Sequence, residues 1–307
     1  MILKVAIGVV TSKVIAIFIG PSGLALVANL RNFMAALETV STLGYQNGVV
    51  KYVAQYEKNP GELAKVLTTV LLCLLVTVTV LCPVLFFGAG YIGSQVFGDS
   101  GDYNYIIRLI AAAMPWYAAS VLLTAVLNGL GRYRNVIYIS IGGNIIGLIL
   151  SVVLITTYKT EGALISLVLA PAFLFVVCLW FVSREARLPK AVNLSAFSMP
   201  LLKKLSSYSL MAVVSAVLSP LVMIEIRNNL IEQSGLAEAG YWEAITRIST
   251  YYLMFVTALL SVYFLPKLSA SSSDRETSAV IWKYYKRIMP LFFIALTVLY
   301  LFRYPIL

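Results

Sequence analysis

Apolar runs of about twenty or more residues, broken by short polar stretches, recur from one end of the chain to the other, and each is continuous rather than alternating. A run of that length is what a helix needs to cross roughly 30 Å of hydrocarbon, where only an internally bonded backbone avoids stranding amides. Reading run by run predicts helices near 2–19, 23–50, 64–92, 103–130, 135–157, 161–183, 203–227, 237–265 and 283–303. The expected fold class is therefore all-α, a polytopic membrane protein with about nine transmembrane helices. An outer-membrane β-barrel, built from segments of about ten residues with period two, does not fit.

Composition agrees: 60% of the 307 residues are apolar and 12% charged, against about 45–50% and about 25% in soluble domains. The net charge of +10 would suggest nucleic acid in a soluble chain, but here the basic residues fall on alternate loops. With a cytoplasmic N-terminus, one set of ends carries Lys51, Lys58, Lys65, Arg132, Arg134 and the Arg184–Lys204 cluster, while the other carries Asp99, Asp102, Glu161 and Glu232 with few cations. That bias absorbs the charge, and no nucleic-acid partner is expected. Cys73, Cys82 and Cys178 lack paired spacing, and no histidine is present, so neither a disulfide nor a metal is expected.

Three cations interrupt the spans instead of flanking them: Lys13, Arg31 and Arg247. A charge at mid-membrane costs at least about 2.5–3.5 kcal/mol, so such residues turn toward a partner or a watery cavity. They are the candidate cavity residues for an anionic headgroup, since guanidinium groups can bind phosphate oxygens bidentately; snorkelling or a structural ion pair is the alternative for each. Glu38 lies two turns from Arg31, and Glu243 one turn before Arg247. These carboxylates are candidates for charge pairing or for coupling to a proton or sodium gradient, the only cofactor-like requirement expected. Tyr241, Trp242, Tyr251 and Tyr252 beside Arg247 can stack on sugars, or anchor the helix at the interface. No Walker-type loop accompanies Gly129 to Arg134, and no ATPase motif is expected.

A shift of 216 positions superposes Ala28 on Ala244, Arg31 on Arg247 and Lys51 on Lys267. Both copies read as one long helix with an arginine in its outer half and a lysine at its inner end, which predicts a parallel two-lobed transporter. Residues 1–190 then form a six-helix N-terminal lobe, and 191–307 the first part of a C-terminal lobe with about three helices. Completing that lobe takes about three more helices, of about twelve in all.

The stretch Gly20-Pro21-Ser22-Gly23-Leu24, then Asn29-Leu30-Arg31, and above all Lys51-Tyr52-Val53-Ala54-Gln55-Tyr56, resembles the opening of the Wzx-type flippases. Tyr241-Trp242-Glu243-Ala244 before Arg247-Ile248-Ser249 is similar in the same way. That family serves O-antigen and enterobacterial common antigen synthesis and is related in fold to multidrug and toxin extruders. The resemblance implies a MATE-like two-lobed bundle in the bacterial inner membrane that moves undecaprenyl-pyrophosphate-linked oligosaccharide from the cytoplasmic to the periplasmic leaflet. It also implies a transporter rather than an enzyme, with polysaccharide polymerase and chain-length proteins as partners. A drug or cation exporter on the same fold, and a polymerase or ligase acting on the same lipid, are the competing readings. The three intramembrane cations speak against the first of these, and the short outward loops against the second.

Overall fold

A computed structural model describes residues 2–98, 102–184, 196–259 and 274–301, with Phe264 and Leu268. The described residues are helical throughout, and contacts between them cluster into two units, Met1–Gly240 and Tyr241–Leu307. The domain boundary expected near residue 190 lies outside the described residues.

The first unit begins with α1 (Ile2–Ser41), which Gly20 divides at φ 75°, ψ −175°, a conformation open to glycine and followed at once by Pro21. α1 stops at Ser41. Gly44 N–H bonds the Thr39 carbonyl at 2.9 Å and Leu43 N–H bonds that of Val40 at 3.1 Å, a Schellman closure with Leu43 left-handed at φ 52°. The hydroxyls of Ser41 and Thr42 turn back onto the Glu38 carbonyl at 3.0 and 2.8 Å, adding to the Thr42 N–H that bonds it at 3.3 Å. The single helix expected over 23–50 is therefore two. After the turn, α2 (Gln46–Tyr56) starts a new direction, so Arg31 and Lys51 do not share a helix as the internal repeat had suggested.

α2 carries the most distinctive motif and is packed as a core element. Val49, Tyr52 and Val53 are buried against Val66 and Val70 of α3 (Pro60–Phe87), Leu122 and Val126 of α5 (Asn104–Gly129), and Leu201 and Leu205 of α7 (Met199–Ser234). A short α4 (Ala89–Phe97) follows α3. α3 opens on Asn59, whose side chain accepts from Glu62 N–H, with Pro60 in the first turn, the usual arrangement at a helix start.

α6 (Tyr133–Ser183) is a folded hairpin. Lys159 breaks it at φ 50°, ψ −123°. Ser151 and Ser166, fifteen residues apart and so about 22 Å apart on a straight helix, meet with their hydroxyl oxygens 3.2 Å apart. Gly143 sits against Leu174, and a Cβ on Gly162 would lie 1.9 Å from the Leu154 carbonyl oxygen. The two antiparallel arms match the spans expected over 135–157 and 161–183.

Hydrophobic faces point outward as well as inward. Ile17, Val76, Phe87 and Val176 are 63–85% exposed, the surface a bilayer and not water would cover. Five described helices are long and apolar enough to cross a membrane, the α6 hairpin counting as one of them.

The second unit holds most of α8 (Leu236–Leu259), which begins in the first, and α9 (Asp274–Leu301). Within α9, Lys286 Nζ lies 5.5 Å from the centre of the Trp282 ring, a pairing suited to the headgroup level.

Replacing Gly162 by Leu should prevent close approach of the hairpin arms and lower stability by more than about 2 kcal/mol. Replacing the exposed Lys159 by Gly should relieve the positive φ and raise stability by about 1 kcal/mol. Thermal unfolding in detergent reads both changes, which must have opposite signs.

Candidate functional site

The first unit gathers its intramembrane polar groups around α1. Asn29 is fully buried, and its side chain ties three helices together. Its amide donates to the Val96 carbonyl at the end of α4 at 2.8 Å and to the Asn228 Oδ1 on α7 at 2.9 Å. Its own Oδ1 accepts from the Arg227 guanidinium, which is only 2% exposed. Asn228 in turn donates to the Gln95 carbonyl at 2.7 Å. The carbonyls at the end of α4 have lost their intrahelical donors, and the two amides supply replacements. In hydrocarbon this exchange matters more than in water, because no solvent competes for either partner.

About two and a half turns further along α1, Glu38 is half-buried. It accepts the Tyr117 hydroxyl of α5 at 2.6 Å and the Gln46 amide of α2 at 3.2 Å. A carboxylate held by a short O–H donor is the stronger kind of hydrogen bond, and it joins α1, α2 and α5 at one point. Arg31, two turns before it, is half-buried on the same helix. Lys13 stands exposed beside Ile17 and Phe18 on the first arm of α1.

The second unit contains the buried ion pair expected from spacing. Arg247 Nε lies 3.0 Å from Glu243 Oε1, both side chains only 8% exposed. Tyr241 is exposed and Trp242 half-buried at the start of this segment, while the side chains of Tyr251 and Tyr252, and all of Lys267, lie outside the described residues. The structure therefore pairs Glu243 with Arg247 and gives Glu38 its own donors on neighbouring helices.

Arg227 and Asn29 are the residues that sequence reasoning missed. The span expected over 203–227 puts Arg227 at its very end; helix α7 runs on to Ser234, so Arg227 is inside it. Asn29 had been read only as part of a motif. An amide capable of both donating and accepting, set in an apolar run two residues before an intramembrane arginine, was the available signal.

Two cavities of the first unit differ in their walls. One of about 220 Å³ lies between α2, α3, α5 and α6 and is almost wholly apolar, with Leu74, Leu122 and Phe175 in its walls. The other, about 480 Å³, is lined by α1, α4 and α7 next to the Asn29 network and includes Gln95 and Glu225.

Long apolar helices with polar side chains joined between them are the architecture of a multi-pass membrane protein. Comparison with known proteins bears this out and makes it specific. The fold matches a solved multidrug resistance MATE family transporter of the MOP superfamily in its inward-facing conformation, with a TM-score of 0.72 and 15% identity, over 99% of this chain and 74% of that one. A second solved chain, called protein A, matches with a TM-score of 0.64 and 17% identity, over 82% of this chain and 59% of its own length. The lipid III flippases of Escherichia coli (strain K12) and Shigella flexneri are each 32% identical to it over 289 residues, 94% of this chain and 69% of theirs. Residues 1–272 match the family described as polysaccharide biosynthesis protein, and the chain belongs to that family.

Replacing Asn29 by Ala should cost about 3–5 kcal/mol, because its hydrogen bond to the Arg227 guanidinium and those to Val96 and Asn228 are lost together. Tyr117→Phe, which removes one hydroxyl from Glu38, should cost only about 1–3 kcal/mol. Chemical unfolding of the two variants beside the parent tests the order.

Proposed function

We propose that this protein moves lipid-linked glycan across the membrane it spans, carrying an undecaprenyl-pyrophosphate-linked oligosaccharide from the cytoplasmic to the periplasmic leaflet of the bacterial inner membrane. The observation that carries the reading is the 32% identity to lipid III flippases across 94% of the chain. The intramembrane cations give it a physical form. In this account the N-terminus is cytoplasmic, in keeping with the bias of Lys and Arg along the loops.

Arg31 and Arg247, with Lys13, are the groups we assign to the anionic headgroup. A guanidinium offers a planar set of donors that fits phosphate oxygens, and at low dielectric the attraction is not screened as it is in water. The Arg247–Glu243 pair makes the release of that arginine a defined event: a pyrophosphate that engages it competes with the carboxylate 3.0 Å away. Such competition converts substrate binding into a change of helix contacts, the kind of differential interaction that alternating access requires. Glu38 and Glu243 are the carboxylates we assign to coupling, proton or sodium, since each can change partners when protonated or bound by a cation. Polysaccharide polymerase and chain-length proteins are the partners that would take up the product in the outer leaflet.

Cells lacking their own flippase, supplied with this chain and with matched glycan enzymes, should regain surface glycan. With expression held equal, Arg31→Ala and Arg247→Ala should each reduce transport by at least about tenfold, and Arg31→Lys should recover part of it, because it restores charge without the fork. Undiminished transport in both alanine variants would remove these residues from the headgroup site. If Glu38→Gln and Glu243→Gln both keep full gradient dependence, neither carboxylate couples transport.

A further inference from the structure

The larger cavity has a composition that the headgroup site does not use. Its walls place two aromatic rings, Phe33 of α1 and Tyr91 of α4, with a carboxamide, Gln95 of α4, and a carboxylate, Glu225 of α7. Its volume of about 480 Å³ is within the range of about 300–1,000 Å³ of small-molecule sites. Glu225 is exposed although it lies inside an apolar stretch of α7 long enough to span a membrane. An ionised side chain facing hydrocarbon is strongly disfavoured, which argues for water at the Glu225 side of the cavity, while the exposed Leu221 and Val222 give its wall an apolar part. Among the described residues no hydrogen bond or ion pair takes up the Gln95 amide or the Glu225 carboxylate.

The polar network just behind this cavity fixes its walls. Asn29, one turn before Phe33, bonds the Val96 carbonyl, and Asn228, one turn after Glu225, bonds the carbonyl of Gln95 itself. Arg227 and Asn29 close the link between α1 and α7. The three helices that supply the rings, the amide and the carboxylate are thus held to one another by buried bonds, the pre-organisation that a recognition site needs.

We infer that this cavity is a carbohydrate subsite, taking a sugar ring of the transported glycan while the headgroup cations hold the pyrophosphate; the inference rests on the flippase reading. The chemistry is that of sugar recognition. A ring face lies on an aromatic surface, here Tyr91, which is 74% exposed and free to stack. Neighbouring hydroxyls donate to the two oxygens of a carboxylate, and an amide both donates and accepts. None of these groups would discriminate a pyrophosphate favourably, since Glu225 repels it.

The test is equilibrium titration of the purified chain in detergent with two probes: undecaprenyl pyrophosphate bearing a trisaccharide that contains N-acetylhexosamine, and undecaprenyl pyrophosphate without sugar. Tyr91→Ala and Glu225→Gln should each weaken binding of the glycosylated lipid by roughly tenfold, in line with the loss of a stacked ring or a charged hydrogen bond. Affinity for the bare lipid should stay within about twofold of the parent in both variants, and Tyr91→Phe, which keeps the ring, should bind both probes as the parent does. Equal weakening of both lipids, or no weakening of either, overturns the subsite. So does competition of tetraphenylphosphonium with the glycosylated lipid that Glu225→Gln abolishes, which would make the cavity a cation site. A parent chain that binds neither lipid would instead overturn the flippase reading on which the subsite rests.

Discussion

Hydrocarbon cannot solvate a charge or a bare amide, and the arrangement of this molecule follows from that one constraint. Every intramembrane polar group must find a partner inside the protein or face a watery cavity. Glu38 has Tyr117 and Gln46. Arg247 has Glu243, and Arg227 has Asn29. These bonds do more than neutralise a penalty. Each links helices, or turns of a helix, at a chosen point, and a bond that a substrate or a cation can replace is a bond that can switch.

Helix α7 shows how far the constraint reaches. At one end Arg227 and Asn228 bind Asn29 and the closing carbonyls of α4. At the other, Ser209 donates to the Leu43 carbonyl, Ser206 meets the Tyr45 hydroxyl at 2.9 Å, and Ser198 N–H donates to Thr69 at 3.1 Å. Ser209 and Arg227 are eighteen residues apart, about 27 Å along an ideal helix and close to the thickness of the hydrocarbon layer. Polar bonds thus fasten α7 to the preceding helices at two levels about 27 Å apart, with apolar contact between. Weak, directional bonds at the ends of an apolar rod can be exchanged without unpacking it, the kind of element on which alternating access can act.

Most of this architecture was legible in the sequence because apolar length is a strong signal. The hairpin arms on either side of Lys159 were expected over 135–157 and 161–183, and the Glu243–Arg247 pair followed from a spacing of four. What was not legible came from places where the periodic pattern continues while the backbone turns. Leu43 and Gly44 end α1 inside an apolar run, so the helix expected through residue 50 stopped nine residues early. Arg227 sat beside residues that read as a loop, and only the continuation of α7 to Ser234 placed it inside the bundle. The partners of Asn29 lie 67 and 199 residues away, and no local pattern reports a contact of that separation.

The most direct measurement is reconstitution of the purified chain in liposomes of defined lipid, with an undecaprenyl-pyrophosphate-linked oligosaccharide confined at first to one leaflet and its arrival in the other followed by an impermeant enzyme that cleaves the sugar. Transfer that requires the protein, is at least about tenfold faster than in protein-free liposomes, and is inhibited by an excess of the same lipid is the result this structure predicts. Transfer no faster than in protein-free liposomes, from protein shown to be folded and inserted, would contradict it.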